Sequence, residues 1–236
     1  QLADGSTENR SIFKAIENPD GSMLTGVRDA QAKWDQSVFL MDDGTALTAG
    51  GNWKGALGDG TMTAKTSLVQ VQNSDGTAFS DIKSVALNCH SSHYLKSDGT
   101  VWSTGWNTDG RLGDGTTTDR TNPVQVVHDD GTPFDKVVKM TSGSHHLLFI
   151  KSDGSAWSVG RNSSGILADG NSSSRSNPVR VIKSDESNLS DVIEVSAGNF
   201  ISMFLCADGT VWVSGTGYGN KATELLNQDG TVVTGV

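Results

Sequence analysis

The chain has 236 residues, with 18 basic and 27 acidic side chains and a net charge of −9. That length is enough for one large domain with a sizeable core. The absence of a Lys/Arg stripe argues against nucleic acid as a partner. No apolar run approaches the roughly 20 residues of a membrane span, and no charged and apolar signal peptide opens the chain. Glycine is frequent at 28 residues and proline rare at 4, with Ser, Thr, Asn and Asp between, which is turn chemistry separating short strands. Low lysine and abundant small polar residues suggest an extracellular or surface-exposed location. The two cysteines, Cys89 and Cys206, stand at different positions of the repeat described next, and are expected as isolated buried thiols rather than a disulfide.

From its first residue the chain repeats itself. Gln1–Ser11 lies over Ala56–Thr66, Arg111–Thr121 and Ile166–Ser176 at a constant offset of 55. Ile12–Ile16 then matches Ser67–Val71, Asn122–Val126 and Asn177–Val181, and Asp20-Gly21 matches Asp75-Gly76 and Asp130-Gly131. A second series of Asp-Gly pairs opens at Asp43, Asp98, Asp153 and Asp208 with the same period. Each unit predicts four strands: a near Ile82–Leu87, b near Ser92–Lys96, c over Thr100–Gly105 and d in the "PVQV" segment. Only a tight Asp-Gly turn separates b from c, a hairpin signal, and a longer loop joins c to d. Past Gly215 the period shortens. The next Asp-Gly, Asp229-Gly230, arrives 11 residues early, and Ala222–Leu226 reads as a short helical turn. The ending Asn227–Val236 resembles Asn18–Val27, so both ends cut through a repeat, and the chain reads as part of a longer protein. The expected units are about 1–26 (partial), 27–81, 82–136, 137–191, 192–226 and 227–236 (partial). Four antiparallel strands per repeat predict an all-β fold, a β-propeller of ~55-residue blades with four complete blades and partial blades at both ends.

Gly143–Gly170, "GSHHLLFIKSDGSAWSVGRNSSGILADG", and Asn88–Gly115 resemble the repeats of the regulator of chromosome condensation family. The pattern falls on Gly143, His146, Asp153, Trp157, Gly160, Asn162, Gly165 and Leu167. The repeats depart from it at Ser91 and Ile201, where His is expected, and at Asn88 in place of Gly. The resemblance implies a seven-bladed ring, of which this chain supplies about four blades. It also implies one of several roles, since members include exchange factors for small GTPases, a secreted β-lactamase inhibitor, and bacterial and phage surface proteins.

The Asp-Gly pairs, as in Asn107–Gly115, raise the question of calcium. The bidentate Glu of an EF-hand is missing, and turn formation explains them better. No metal or other cofactor is expected. His90, His93, His128, His145 and His146 read as loop or packing residues, and no catalytic set is assigned. Trp102, Trp157 and Trp212, with Leu47 at the fourth position, are expected to pack between neighbouring blades. In an up-and-down blade the b–c and d–a turns share one face, and here they are nearly invariant. The a–b and c–d loops share the other face and vary. They hold Trp34, His90, His145 and Phe200, and Trp53, Trp106, Arg161 and Tyr218. Trp, Tyr and Arg dominate binding hot spots, so these eight residues are the candidate partner-binding set. The expected function is a non-enzymatic recognition or structural module of a larger bacterial or phage surface protein, binding a protein or glycan. The alternatives are an exchange-factor-like regulator or enzyme inhibitor, and a subunit that self-associates through incomplete blades.

Overall fold

A computed structural model of the chain describes residues 3–8, 11–12, 15–18, 20–227 and 229–233. The chain divides into two compact units. One runs to Ser97 and adds Val101–Asn107 and Thr118–Gln125; the other holds Asp98–Thr100, Thr108–Thr117 and the residues from Val126 onward.

The first unit contains two four-stranded sheets. Blade 1 is β1 (Val27–Lys33), β2 (Gln36–Met41), β3 (Ala46–Gly50) and β4 (Lys65–Gln70). Blade 2 is β5 (Ile82–Asn88), β6 (Ser91–Lys96), β7 (Val101–Gly105) and β8 (Arg120–Gln125). The second unit contains two more. Blade 3 is β9 (Val137–Ser142), β10 (His146–Lys151), β11 (Ala156–Gly160) and β12 (Arg175–Arg180). Blade 4 is β13 (Val192–Ala197), β14 (Ile201–Cys206), β15 (Val211–Gly215) and β16 (Gly219–Glu224). Every sheet is a meander in chain order. The four complete sets of strands expected from the period are therefore present. The helical turn expected at Ala222–Leu226 is not: β16 takes Ala222–Glu224, because Trp212 and Val213 pair with Glu224 and Thr223, and Leu226 bridges to Val232.

The turns explain why the strands stop where they do. At Asp43-Gly44-Thr45, the Thr45 amide and hydroxyl both donate to Asp43 Oδ1, at 2.9 and 2.7 Å. The same pair of bonds recurs at Asp98, Asp208, Asp75, Asp130 and Asp185. The recurrent carboxylates hold turns, as expected from their spacing with Gly and Ser/Thr. Flanking the blades, the bridges Glu17↔Met23 and Leu226↔Val232 repeat the d–a pairing of Gln72↔Ala78 and Ile182↔Asn188. The strand d expected over Ile12–Ile16 includes residues 13 and 14, and the strand a expected at the C-terminal end includes residues 234–236. These five positions lie outside the described residues.

In the first unit Val38, Leu40, Ala46, Val85, Leu87 and Tyr94 form one buried cluster. In the second, Leu148, Ile150, Val192, Val195 and Phe204 do the same. In both, strand b of one blade packs on strand a of the next, and each fully buried aliphatic side chain contributes about 1.5–3 kcal/mol. Cys89 and Cys206 are buried free thiols. The strand c tryptophans are half-buried rather than fully enclosed, with Trp102 and Trp212 at the rim of these two cores. Trp157 lies edge-on to Phe134 at 5.5 Å between centroids, with the Lys151 ammonium 5.3 Å from its ring. Its Nε1 donates to Ser155 Oγ at 2.9 Å. The polar edge of the indole is thus turned to the b–c turn, and a cation lies over its ring. Among the described residues no helix is long and apolar enough to cross a membrane.

Candidate functional site

Each blade fastens its a–b loop to the start of its c–d loop through backbone atoms. Strand c ends in a glycine, and the amide that follows donates to an a–b carbonyl. The pairs are Gly51 to Asp35 at 2.6 Å, Trp106 to His90 at 2.9 Å, Arg161 to His145 at 3.0 Å and Thr216 to Phe200 at 2.9 Å. The glycine is required by space. At Gly105, with φ of 109°, an added Cβ would stand 2.4 Å from the His90 oxygen. The backbone bond therefore holds His90 beside Trp106, and His145 beside Arg161.

In the first unit this arrangement gathers three of the candidate residues around a fourth, the His90 imidazole. The His90 ring lies 6.4 Å from Trp34, 5.6 Å from Trp53 and 6.1 Å from Trp106, each between centroids. Trp34 and Trp53 are 73% and 63% exposed, large apolar surfaces left in water. Trp53 opens a 3-10 turn, Trp53–Gly55, in the c–d loop of blade 1. Buried Asn52 holds the loop in shape: its Nδ2 donates to Asp59 Oδ1 at 3.0 Å and its Oδ1 accepts the Leu57 amide at 2.9 Å. Beside Trp53 and His90 is a cleft of about 440 Å³ lined by Asp35, Gly51, Asn52, Trp53, Met62, Ala64 and His90. Asp35 Oδ1 faces His90 Nδ1 at 3.7 Å. Lys54, beside Trp53, pairs with Asp119 at 3.1 Å.

The other four candidates belong to the second unit. His145 and Arg161 are neighbours in blade 3, and Arg161 Nε donates to Ser163 Oγ at 3.1 Å. Phe200 and Tyr218, 38% and 42% exposed, stand on the two loops of blade 4. The remaining histidines are packing residues. His93 is buried with Nδ1 2.8 Å from Ser103 Oγ, and His146 is buried with Nε2 2.9 Å from Ser202 Oγ. His128 lies 5.1 Å from the Phe134 ring. Sequence reasoning overlooked Asp35 and Met62. The signal for Asp35 was available, because it stands in register with His90, His145 and Phe200.

Residues 98–150 and 153–205 match the regulator of chromosome condensation (RCC1) repeat, and residues 137–166 match a second model of that repeat. Four-stranded meanders that end in variable loops make this a β-propeller chain, and its residues 98–205 carry RCC1 repeats. Among characterised proteins it is similar to the ultraviolet-B receptor UVR8 of Arabidopsis thaliana, 28% identical over 75% of this chain and 38% of the receptor. It is also similar to the E3 ubiquitin-protein ligase HERC2 of Mus musculus, 30% identical over 89% of this chain and 4% of the ligase. In structure it is similar to yeast RCC1 (Prp20), solved bound to Kap60. The TM-score there is 0.67 at 18% identity, covering 86% of this chain and 49% of that one. The chain spans about half or less of each of these proteins, and the structural likeness shows the shared fold.

Proposed function

We propose that the chain is a non-enzymatic recognition module of a larger, secreted or surface-exposed protein. It binds a protein partner through its a–b and c–d loops, with Trp34, Trp53 and Trp106 around His90 as the energetic centre. The observation that carries this reading is the convergence of three indoles on one imidazole, with two of the indoles more than half exposed. Aromatic anchors held by a rigid backbone lose little conformational entropy on binding and dominate interface energetics. His145, Arg161, Phe200 and Tyr218 stand on the corresponding loops of blades 3 and 4. The shared fold of yeast RCC1, which is seen with a protein bound, is consistent with this use.

A photo-crosslinking residue is placed at Trp53 on the loop face, and separately at Thr100 in a b–c turn. The captured partner is then titrated against the Trp53→Ala/Trp106→Ala double variant. Crosslinking from position 53, with affinity reduced about 100-fold or more in the double variant, is the expected result. Crosslinking from position 100 alone, or unchanged affinity, would place the binding surface elsewhere.

A further inference from the structure

The loop face of the first unit holds one carboxylate that its own structure leaves short of partners. Asp59 accepts hydrogen bonds from Thr61 and Asn52 and pairs with Lys65 at 3.3 Å. Asp119 takes the Lys54 ammonium and the Asn107 amide. Asp35 has only the His90 imidazole beside it, at a distance too long for a hydrogen bond. Its Oδ1 is buried without a hydrogen-bond donor among the described residues, and so is His90 Nδ1, which faces it at 3.7 Å. A buried acceptor without a donor is unfavourable unless something else completes it.

The carboxylate reaches its place at the edge of the cleft because position 51 is glycine. A Cβ there would stand 2.0 Å from Asp35 Oδ2, and in blade 2 the equivalent position carries the indole of Trp106. The cleft has an indole wall at Trp53 and apolar side chains at Met62 and Ala64. A carboxylate, an exposed aromatic ring and an apolar wall fit a planar cation on a methylene stem. A guanidinium offers two parallel N–H donors to a carboxylate and stacks on an indole, and its weak hydration makes both contacts favourable. An ammonium supplies a point charge without the planar match. A neutral sugar would stack on Trp53 but leave the Asp35 charge uncompensated as it loses water. The net charge of −9 favours encounter with a basic segment.

We infer that this cleft takes the side chain of an arginine in a basic segment of the partner protein. The inference rests on the loop-face reading above and adds the chemistry of what is bound. The test uses the whole chain in calorimetric titrations at low salt. The probes are a hexapeptide with one central arginine, its citrulline and lysine counterparts, and chitotriose. The arginine peptide is expected to bind about tenfold more tightly than the citrulline peptide, and more tightly than the lysine peptide. Asp35→Asn removes that preference while leaving citrulline binding unchanged. Gly51→Ala, which displaces the carboxylate but keeps its charge, also weakens the arginine peptide and serves as the test if Asp35→Asn fails to fold. Equal affinity for arginine and citrulline, arginine binding indifferent to Asp35→Asn and Gly51→Ala, or chitotriose binding in place of arginine would each overturn the inference. If position 53 still crosslinks to a protein in those cases, the loop-face reading stands and only the arginine assignment falls.

Discussion

Gly105 shows how one residue without a side chain positions two that have large ones. Its φ of 109° is open to glycine and strained for other residues, and the carbonyl of His90 fills the place a Cβ would take. Gly105→Ala must push the a–b loop away from strand c and break the Trp106 amide bond to His90. We expect a loss of about 3 kcal/mol or more in urea unfolding, with a change in tryptophan emission as His90 leaves its three indoles. A variant as stable as the parent would show that the loops are not held by this contact. That a glycine ends each strand c was legible from the period. The reason for it was not, since the carbonyl it approaches belongs to a different strand connection.

The c–d loop is the element that varies most in side chains while keeping one internal frame. In blade 3 the frame is Asn162, fully buried. Its Nδ2 donates to Asp169 Oδ1 at 2.9 Å and to the Asn171 carbonyl at 3.1 Å, and its Oδ1 accepts the Leu167 amide at 3.0 Å. Asn162→Ala leaves the Leu167 amide buried and unpaired, and is expected to lower stability by about 2–4 kcal/mol, measured by thermal or denaturant unfolding. Loss below about 0.5 kcal/mol would mean the loop is held by its other contacts. At this scale the sequence was most informative. Strand, turn and loop each depend on neighbours a few residues away, so Asp43-Gly44-Thr45 announces its own hairpin. Strand d of blade 4 was misread because Ala222–Leu226 has weak local strand character; its ladder with Trp212 and Val213 decides it. The aromatic cluster was legible only in part. Trp34, Trp53, His90 and Trp106 could be assigned to one kind of loop, but which of them meet depends on how blade 1 and blade 2 lie side by side within their unit.

For the molecule as a whole, the repeated turns tie stability to acid. Hydrogen bonds hold the carboxyls of Asp20, Asp75, Asp130, Asp153, Asp185 and Asp229 below their ordinary value of 3.8, the hydroxyl two residues ahead contributing most and the amide there next. At Asp43 and Asp208 the amide contributes most. A carboxyl whose folded pKa is depressed stabilises the fold fully above its unfolded pKa and loses that contribution as pH falls through the folded value. The melting temperature should therefore stay level from neutral pH to about pH 4 and fall below it. A curve that stays level through that acid range would mean the turns add nothing to folding. Mutating any one turn should matter little, since each is exposed and small, and the effect is a sum over blades. The backbone clasp between loops has a different consequence. It uses only an amide, a carbonyl and a glycine, so nothing in it specifies the side chains on either side. Each blade is a socket with a standard fitting, and a pair of loops is an exchangeable cassette. A surface assembled from such cassettes can be rewritten one blade at a time, so new specificities can arise in this chain without any renegotiation of its fold.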